Sequence, residues 1–273
     1  MIFVLGSHGR LGRAIAGSAL SNQTNNLHRS IYAEWWRDGS ADAIARFFEK
    51  SANTKSIIYN AAGIIDPKLN YEDHELINFK LAKNIVVGAT KLGLKVVTFG
   101  TVMEKVVGDK TTNPYYLSKT KLGHFVEEFC SNSNLALHIR IHTLFGGDRP
   151  SSFMFLGQIL HAIESQTEFK MTPGMQLREY HHIDDEVAAI YRLVDSGLSG
   201  AIELSHGQPV TLRELATYIF ESYRCANLLK IGALPEPVND NYGLLFERTV
   251  ELTDMVFRDT LPNVIQYLRS YLS

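Results

Sequence analysis

Cysteine is nearly absent: the 273-residue chain has two, Cys130 and Cys225. Two thiols so far apart make neither a disulfide framework nor a metal cluster, and they suit a reducing, cytoplasmic setting. Charge of one sign is lacking as well. Lys plus Arg number 27 against 29 Asp plus Glu, a net of −2, which leaves no footprint for nucleic acid or an anionic membrane. No stretch approaches the roughly 20 apolar residues of a membrane span. The opening, MIFVLGSHGRLG, has no basic n-region and does not read as a secretory signal. Repeats and low-complexity tracts are missing too. With 45% hydrophobic and 21% charged residues, the composition is that of a globular chain. Its length fits one large domain, or a domain with a modest appendage.

What is present is alternation. Apolar runs at Met1–Leu5, Ser56–Tyr59, Lys95–Phe99 and Leu135–Ile141 read as strands. Helical spacing separates them at Arg10–Leu20, Ala41–Lys50, Glu75–Leu92 and Tyr116–Cys130. Such alternation predicts βαβ units, hence an α/β, doubly wound parallel sheet covered on both faces. After the loop GGDRPSS the pattern changes, with helices expected at Phe153–Ser165, Asp184–Ser196, Thr211–Tyr223 and Leu261–Leu272. Thr211 with Glu214 three residues on is a capping-box signature.

Three motifs carry chemistry. Gly6, Gly9 and Gly12 form G-x-x-G-x-x-G between the first strand and helix. Glycines there permit a tight turn, let a pyrophosphate approach the backbone, and let helix pack on strand. His8, Arg10 and Leu11 complete that loop, and the phosphates belong at the helix N-terminus. Asn60, Ala61 and Ala62 end the SIIY strand at the sheet's carboxyl edge, where small residues leave room for a cofactor. Tyr115 and Lys119 lie four apart on a helix beginning after Pro114, so they share a face. A neighbouring ammonium is expected to lower the phenol's pKa and fit it for proton transfer. Taken alone, each motif also has a plainer reading: a structural turn, a tight strand end, two solvated helix residues.

Together these residues resemble the extended short-chain dehydrogenase/reductases, the NAD-dependent epimerase/dehydratase family, over nearly the whole chain. GSHGRLG is similar to the family's glycine motif, NAAG to its post-strand motif, and NPYYLSK to its catalytic helix. INFKLAKNIVVGA is similar to the stretch whose Asn, here Asn78, supports the active-site helices. REYHHIDDEVA resembles the segment whose Arg, here Arg178, holds a nucleotide diphosphate. The resemblance implies a Rossmann-like dinucleotide domain of residues 1–146 plus about 180–200. A smaller C-terminal substrate-capping region, about 147–179 and 201–273, would bind a nucleotide sugar. It also implies a homodimer. Within the family the length, the strand ending Gly100-Thr101 and MTPGMQLREY look most like nucleotide-4-keto-6-deoxysugar reductases such as the CDP-paratose and CDP-abequose synthases.

Several points stay open on the residues. The run TFGTVMEK departs from the family pattern, leaving Thr101 as first choice for the catalytic hydroxyl and Thr98 as fallback. Val102 and Met103 stand where dehydratases carry an acidic pair, which counts against a dehydratase. A nucleotide-sugar epimerase with tightly bound NAD is the rival enzyme, and a non-catalytic cofactor-binding protein a third reading. The second strand is unclear. If it is Asn26–Leu27, then His28, Arg29 and Ser30 face the adenosine ribose and favour NADP; if it is Ser30–Ala33, Glu34 favours NAD. Arg178 has a structural rival in an ion pair with Glu179, Asp184 or Asp185. His142 follows the LHIRI strand where the resemblance puts nicotinamide neighbours. His181 and His182 are adjacent on an extended segment, so they point to opposite faces and read as packing rather than a metal pair.

Overall fold

The apolar runs become strands where neighbours cover both of their faces. The computed structural model describes residues 1–18, 24–66, 68–107 and 111–272. The chain divides into two compact units, Met1–Ile141 with Val187–Leu204, and His142–Glu186 with Ser205–Ser273. The first unit holds β1 (Ile2–Leu5), β2 (Thr24–Asn26), β3 (Ile57–Asn60), β4 (Lys95–Thr101), β5 (Ala136–Ile141) and β10 (Gly200–Glu203). They make one sheet in the order β10-β5-β4-β3-β1-β2, with every pairing parallel. This is the doubly wound α/β fold that the alternation predicts. The order reverses between β1 and β3, so the carboxyl ends of those two strands form the switch point where such sheets bind ligands.

Helices α1 (Arg10–Gly17), α2 (Arg29–Tyr32), α3 (Ala41–Ser51), α4 (Tyr71–His74), α5 (Ala82–Thr90), α6 (Met103–Val106) and α7 (Pro114–Cys130) connect these strands. The expected extension of α1 to Leu20 falls outside the described residues. The single helix expected over Glu75–Leu92 starts earlier, at Tyr71, and a π-helical segment, Glu75–Leu81, lies between α4 and α5. Ile44 and Phe48 of α3 and Ile85 of α5 share one core with Phe3, Leu5, Ile58 and Val96 of the sheet. Phe3 meets Phe48 edge to face, centroids 5.2 Å apart. Trp35 joins that core, while Trp36 is half-buried beneath the Arg37 guanidinium.

In the second unit, β6 (Thr143–Phe145) pairs with β9 (Tyr180–His182) and β7 (Phe169–Lys170) with β12 (Leu229–Lys230). A third pair, β8 (Leu177–Arg178) with β11 (Val210–Thr211), is antiparallel. Helices α8 (Phe155–Ser165), α10 (Leu212–Ser222) and α11 (Thr260–Arg269) bury Leu160, Leu215, Phe220 and Leu268 in its core. Thr211 caps α10, its hydroxyl accepting from the Glu214 N–H at 3.0 Å. Helix α9 (Ile183–Asp195) starts in this unit and ends in the first. Among the described residues no helix is long and apolar enough to cross a membrane.

Candidate functional site

Strand β1 ends on Gly6, whose φ of +74° side-chain-bearing residues rarely adopt. The turn is also crowded: a Cβ there would stand 2.5 Å from the Ala62 nitrogen, and one on Gly12 would stand 2.2 Å from the Gly6 carbonyl oxygen. Only glycine lets α1 abut the strand end this closely. Gly9 caps α1 without a side chain, and Arg10 and the half-buried Leu11 open its first turn, where backbone N–H groups suit an anion. Gly6 and Gly9 line a cleft of about 240 Å³ together with Arg29, Tyr32, Ala61, Ala62 and Gly63. Strand β2 ends at Asn26, so His28, Arg29 and Ser30 follow it. The His8 and His28 rings meet edge to face, centroids 6.4 Å apart. Glu34 instead pairs with Arg37 at the surface. These residues are of a kind that could hold a dinucleotide: a glycine turn, a helix N-terminus beside it, and the basic Arg29 on the cleft wall.

Helix α7 is fixed at its start. Asn113 Oδ1 accepts from the N–H groups of Tyr115 and Tyr116 at 2.9 and 3.4 Å, and Pro114 occupies the first turn. Lys119 is buried, and its Nζ donates to the Phe99 carbonyl at 2.7 Å. Burial lowers its pKa to about 8. The expected lowering at Tyr115 is reversed: burial, joined by the charge of Glu104, pushes the half-buried phenol above its ordinary value. Asn78, in the π segment, donates to the Ile64 carbonyl (3.0 Å) and to Ser118 Oγ (3.2 Å) and accepts from the Ile64 N–H (2.9 Å). It thereby ties the loop after β3 to α7. A Cβ on Gly63 would lie 3.2 Å from Asn78 Oδ1 and 3.6 Å from Lys119 Nζ. The cleft and helix α7 therefore adjoin. Asn60, at the end of β3, is buried with an Oδ1 that has no hydrogen-bond partner.

The two candidate threonines differ in setting. Thr98 is buried, its Oγ1 2.9 Å from His138 Nδ1. Thr101 is half-buried, its Oγ1 accepting from the Met103 N–H at 3.3 Å. Glu104, which sequence reasoning passes over, fastens this strand end. Its Oε1 accepts from the Thr101 N–H at 2.8 Å and lies 3.2 Å from His138 Nε2, while Oε2 accepts from Arg140 Nε at 2.9 Å. Arg140 continues to Glu127 and Glu203 at 2.8 and 3.0 Å. Burial raises the Glu104 carboxyl, but His138 and Arg140 outweigh it and hold the group below the usual carboxylate range. Gly100 and Gly123 make the room: a Cβ on either would stand 2.0 or 2.6 Å from a Glu104 oxygen. An Arg inside an apolar strand and a Gly in a strand interior were the available signals.

In the second unit, Arg178 ends β8 and pairs with Asp240 at 2.5 Å. The acids nearer in sequence are engaged elsewhere, Asp185 with Arg258 and Glu179 with His181. His142 is buried with its ring 5.1 Å from His181 and 5.2 Å from Phe246. His181 and His182 do diverge, His182 turning toward Asp184 and Arg258. Around His181 gather Glu179, Glu186 and His206, all buried; the two acids are its near neighbours in sequence, while His206 arrives from beyond β10 and no short-range spacing announces it.

Residues 2–203 match the sequence profile described as NAD dependent epimerase/dehydratase family. A comparison with curated protein sequences finds no match. Among solved structures, the chain is similar to a dTDP-glucose 4,6-dehydratase from Streptomyces venezuelae with NAD bound. The TM-score is 0.79 at 14% identity over 99% of this chain and 96% of that one. It is also similar to a UDP-N-acetylglucosamine 4-epimerase from Methanobrevibacter ruminantium (0.76, 13%, 99% and 97%). A dTDP-4-dehydrorhamnose reductase from Clostridium acetobutylicum gives 0.75 at 15% identity, over 100% and 99% of the two chains.

Proposed function

Because the chain belongs to the NAD dependent epimerase/dehydratase family, we propose that it is a nucleotide-sugar oxidoreductase that reduces a 4-keto-6-deoxysugar nucleotide. Its nearest functional kin would be the CDP-paratose and CDP-abequose synthases and their dTDP-sugar counterparts. The observation that carries this reading is the junction at Gly63, where the glycine-loop cleft meets Asn78 and Lys119. A cofactor held in the cleft has the Tyr115 helix at its reactive end.

When bound, the nicotinamide supplies hydride to C4 of the sugar. Gly6, Gly9 and the start of α1 hold the pyrophosphate, and Ala61 and Ala62 wall the cleft. Lys119 holds the nicotinamide ribose, Thr101 the keto oxygen, and Tyr115 protonates that oxygen as it gains charge. A phenol kept protonated by its surroundings is in the form that can donate to an alkoxide, a stronger base. Arg29 at the cleft and the Glu34–Arg37 pair favour NADPH over NADH. Arg178 takes the nucleotide diphosphate in exchange for Asp240. The one carboxylate just beyond Thr101, Glu104, is buried and engaged, which argues against dehydration chemistry.

Tyr115→Phe should lower turnover by about 100- to 10,000-fold and leave NADPH affinity unchanged. The wild-type protein with a 4-keto-6-deoxysugar nucleotide should consume NADPH mole for mole. Sugar interconversion without net consumption would make it an epimerase. A panel of CDP-, GDP-, UDP- and dTDP-sugars read by thermal shift identifies the nucleotide, since ligand at about 100 times its Kd adds roughly 2.7 kcal/mol. Cofactor binding without turnover on any member of the panel would leave only a non-catalytic role.

A further inference from the structure

We propose that the buried cluster of Glu179, His181, His206 and His142 is a binding site for a zinc-type divalent cation, separate from the cofactor cleft. All four residues belong to the second unit and are nine-tenths or more buried. Donor atoms of Glu179, His181 and His206 converge within 4.8 Å of one another. Glu179 Oε2 is the hub, with His181 Nε2 at 2.9 Å, His206 Nδ1 at 3.3 Å and His142 Nε2 at 3.8 Å. A tetrahedral zinc site with bonds of about 2.0–2.1 Å has donor-to-donor edges of about 3.3 Å, and these spacings bracket that value. Two imidazole rings stack on His181, His142 at 5.1 Å and His206 at 4.3 Å.

Two further observations point to a ligand. His142 Nε2 is buried, 3.8 Å from the Glu179 carboxylate, and has no hydrogen-bond partner. His181 Nδ1 is 2.7 Å from Glu186 Oε2, the carboxylate–histidine pairing that orients metal-bound imidazoles from outside. On binding, the cation takes the place of the Nε2 proton that His181 shares with Glu179, which is released to solvent, and His206 Nδ1 gives up the Gln208 N–H it accepts at 3.0 Å. Deep burial shuts the site off from solvent, so the role is structural rather than catalytic.

The test equilibrates the purified full chain with Zn2+, removes free metal by gel filtration and counts the metal that remains. One zinc per chain is expected, and Co2+ in its place should give the intense visible bands of tetrahedral coordination. His206→Ala should abolish retention with unchanged far-ultraviolet circular dichroism. Glu186→Gln, which leaves all four donors in place, should weaken binding about 10- to 100-fold. If His206→Ala fails to fold, the cobalt spectrum and the Glu186→Gln series still decide. No retained zinc in the wild-type protein, pale octahedral cobalt bands, or equal retention by His206→Ala would overturn the site.

Discussion

Lys119 sets a pH limit on both activity and stability, in opposite directions. Its pKa of about 8 lies below the ordinary 10.5, so between those values the unfolded chain binds more protons than the folded one. Stability from this group therefore rises with pH across that window. Activity should fall across it, because the ammonium proposed to hold the ribose is lost. The free enzyme's kcat/KM should decline above about pH 8 with no matching fall in Tm from this group. A pH–rate profile that stays flat through that range would place the functional charge elsewhere. The two threonines separate in a similar way. Thr98→Val strips a hydroxyl from buried His138 and should cost about 1–3 kcal/mol of stability with modest loss of turnover. Thr101→Val should do the reverse, keeping Tm and losing kcat. Melting curves and kinetics on the pair give the answer, and the opposite order would move the catalytic hydroxyl to Thr98.

Helix α6 is one turn long, yet through Glu104 it locks the end of β4 against β5. Glu104→Gln removes the most buried of Arg140's three carboxylates and weakens the bond to His138 while Glu127 and Glu203 remain, so it should destabilise by about 1–3 kcal/mol. Gly100→Ala, which drives a methyl group into the same carboxylate, should be at least as damaging. If either variant melts within two degrees of wild type, the network is ornamental. How legible such elements are depends on their range. Strands β1, β4 and β5 are readable because both faces are buried, so composition alone marks them. Strand β2 is Thr-Asn-Asn, mostly exposed at the sheet edge, and carries no hydrophobic signal. The glycine loop and the Tyr115–Lys119 pair are local motifs and show in the sequence. Glu104, His138 and Arg140 do not, because they meet across 34 and 36 positions. The π segment is hidden for another reason: its composition is that of any amphipathic helix, and only the demand of Ile64 and Ser118 on Asn78 distinguishes it.

For the molecule as a whole, the first expectation is a homodimer. Phe79, Phe125 and Phe129 stay half-buried on the π segment and α7, with Lys83 and Lys121 lying over the Phe79 ring. A second copy would cover these rings in an isologous contact. Light scattering at micromolar concentration should give twice the monomer mass for the wild type and the monomer mass for Phe125→Glu; a monomeric wild type would end the expectation. The division of the first unit between two stretches of chain has a consequence in time. Strand β5 is complete at residue 141, but its neighbour β10 begins at Gly200, and Glu203, a partner of Arg140, lies 63 residues further along. At a synthesis rate of about 5–20 residues per second, the ribosome takes about 3–13 s to cover that interval. Through those seconds the nascent sheet shows an unpaired edge, and a cation destined for burial lacks one of its carboxylates. A pause in translation anywhere from residue 142 to 199 would prolong that state.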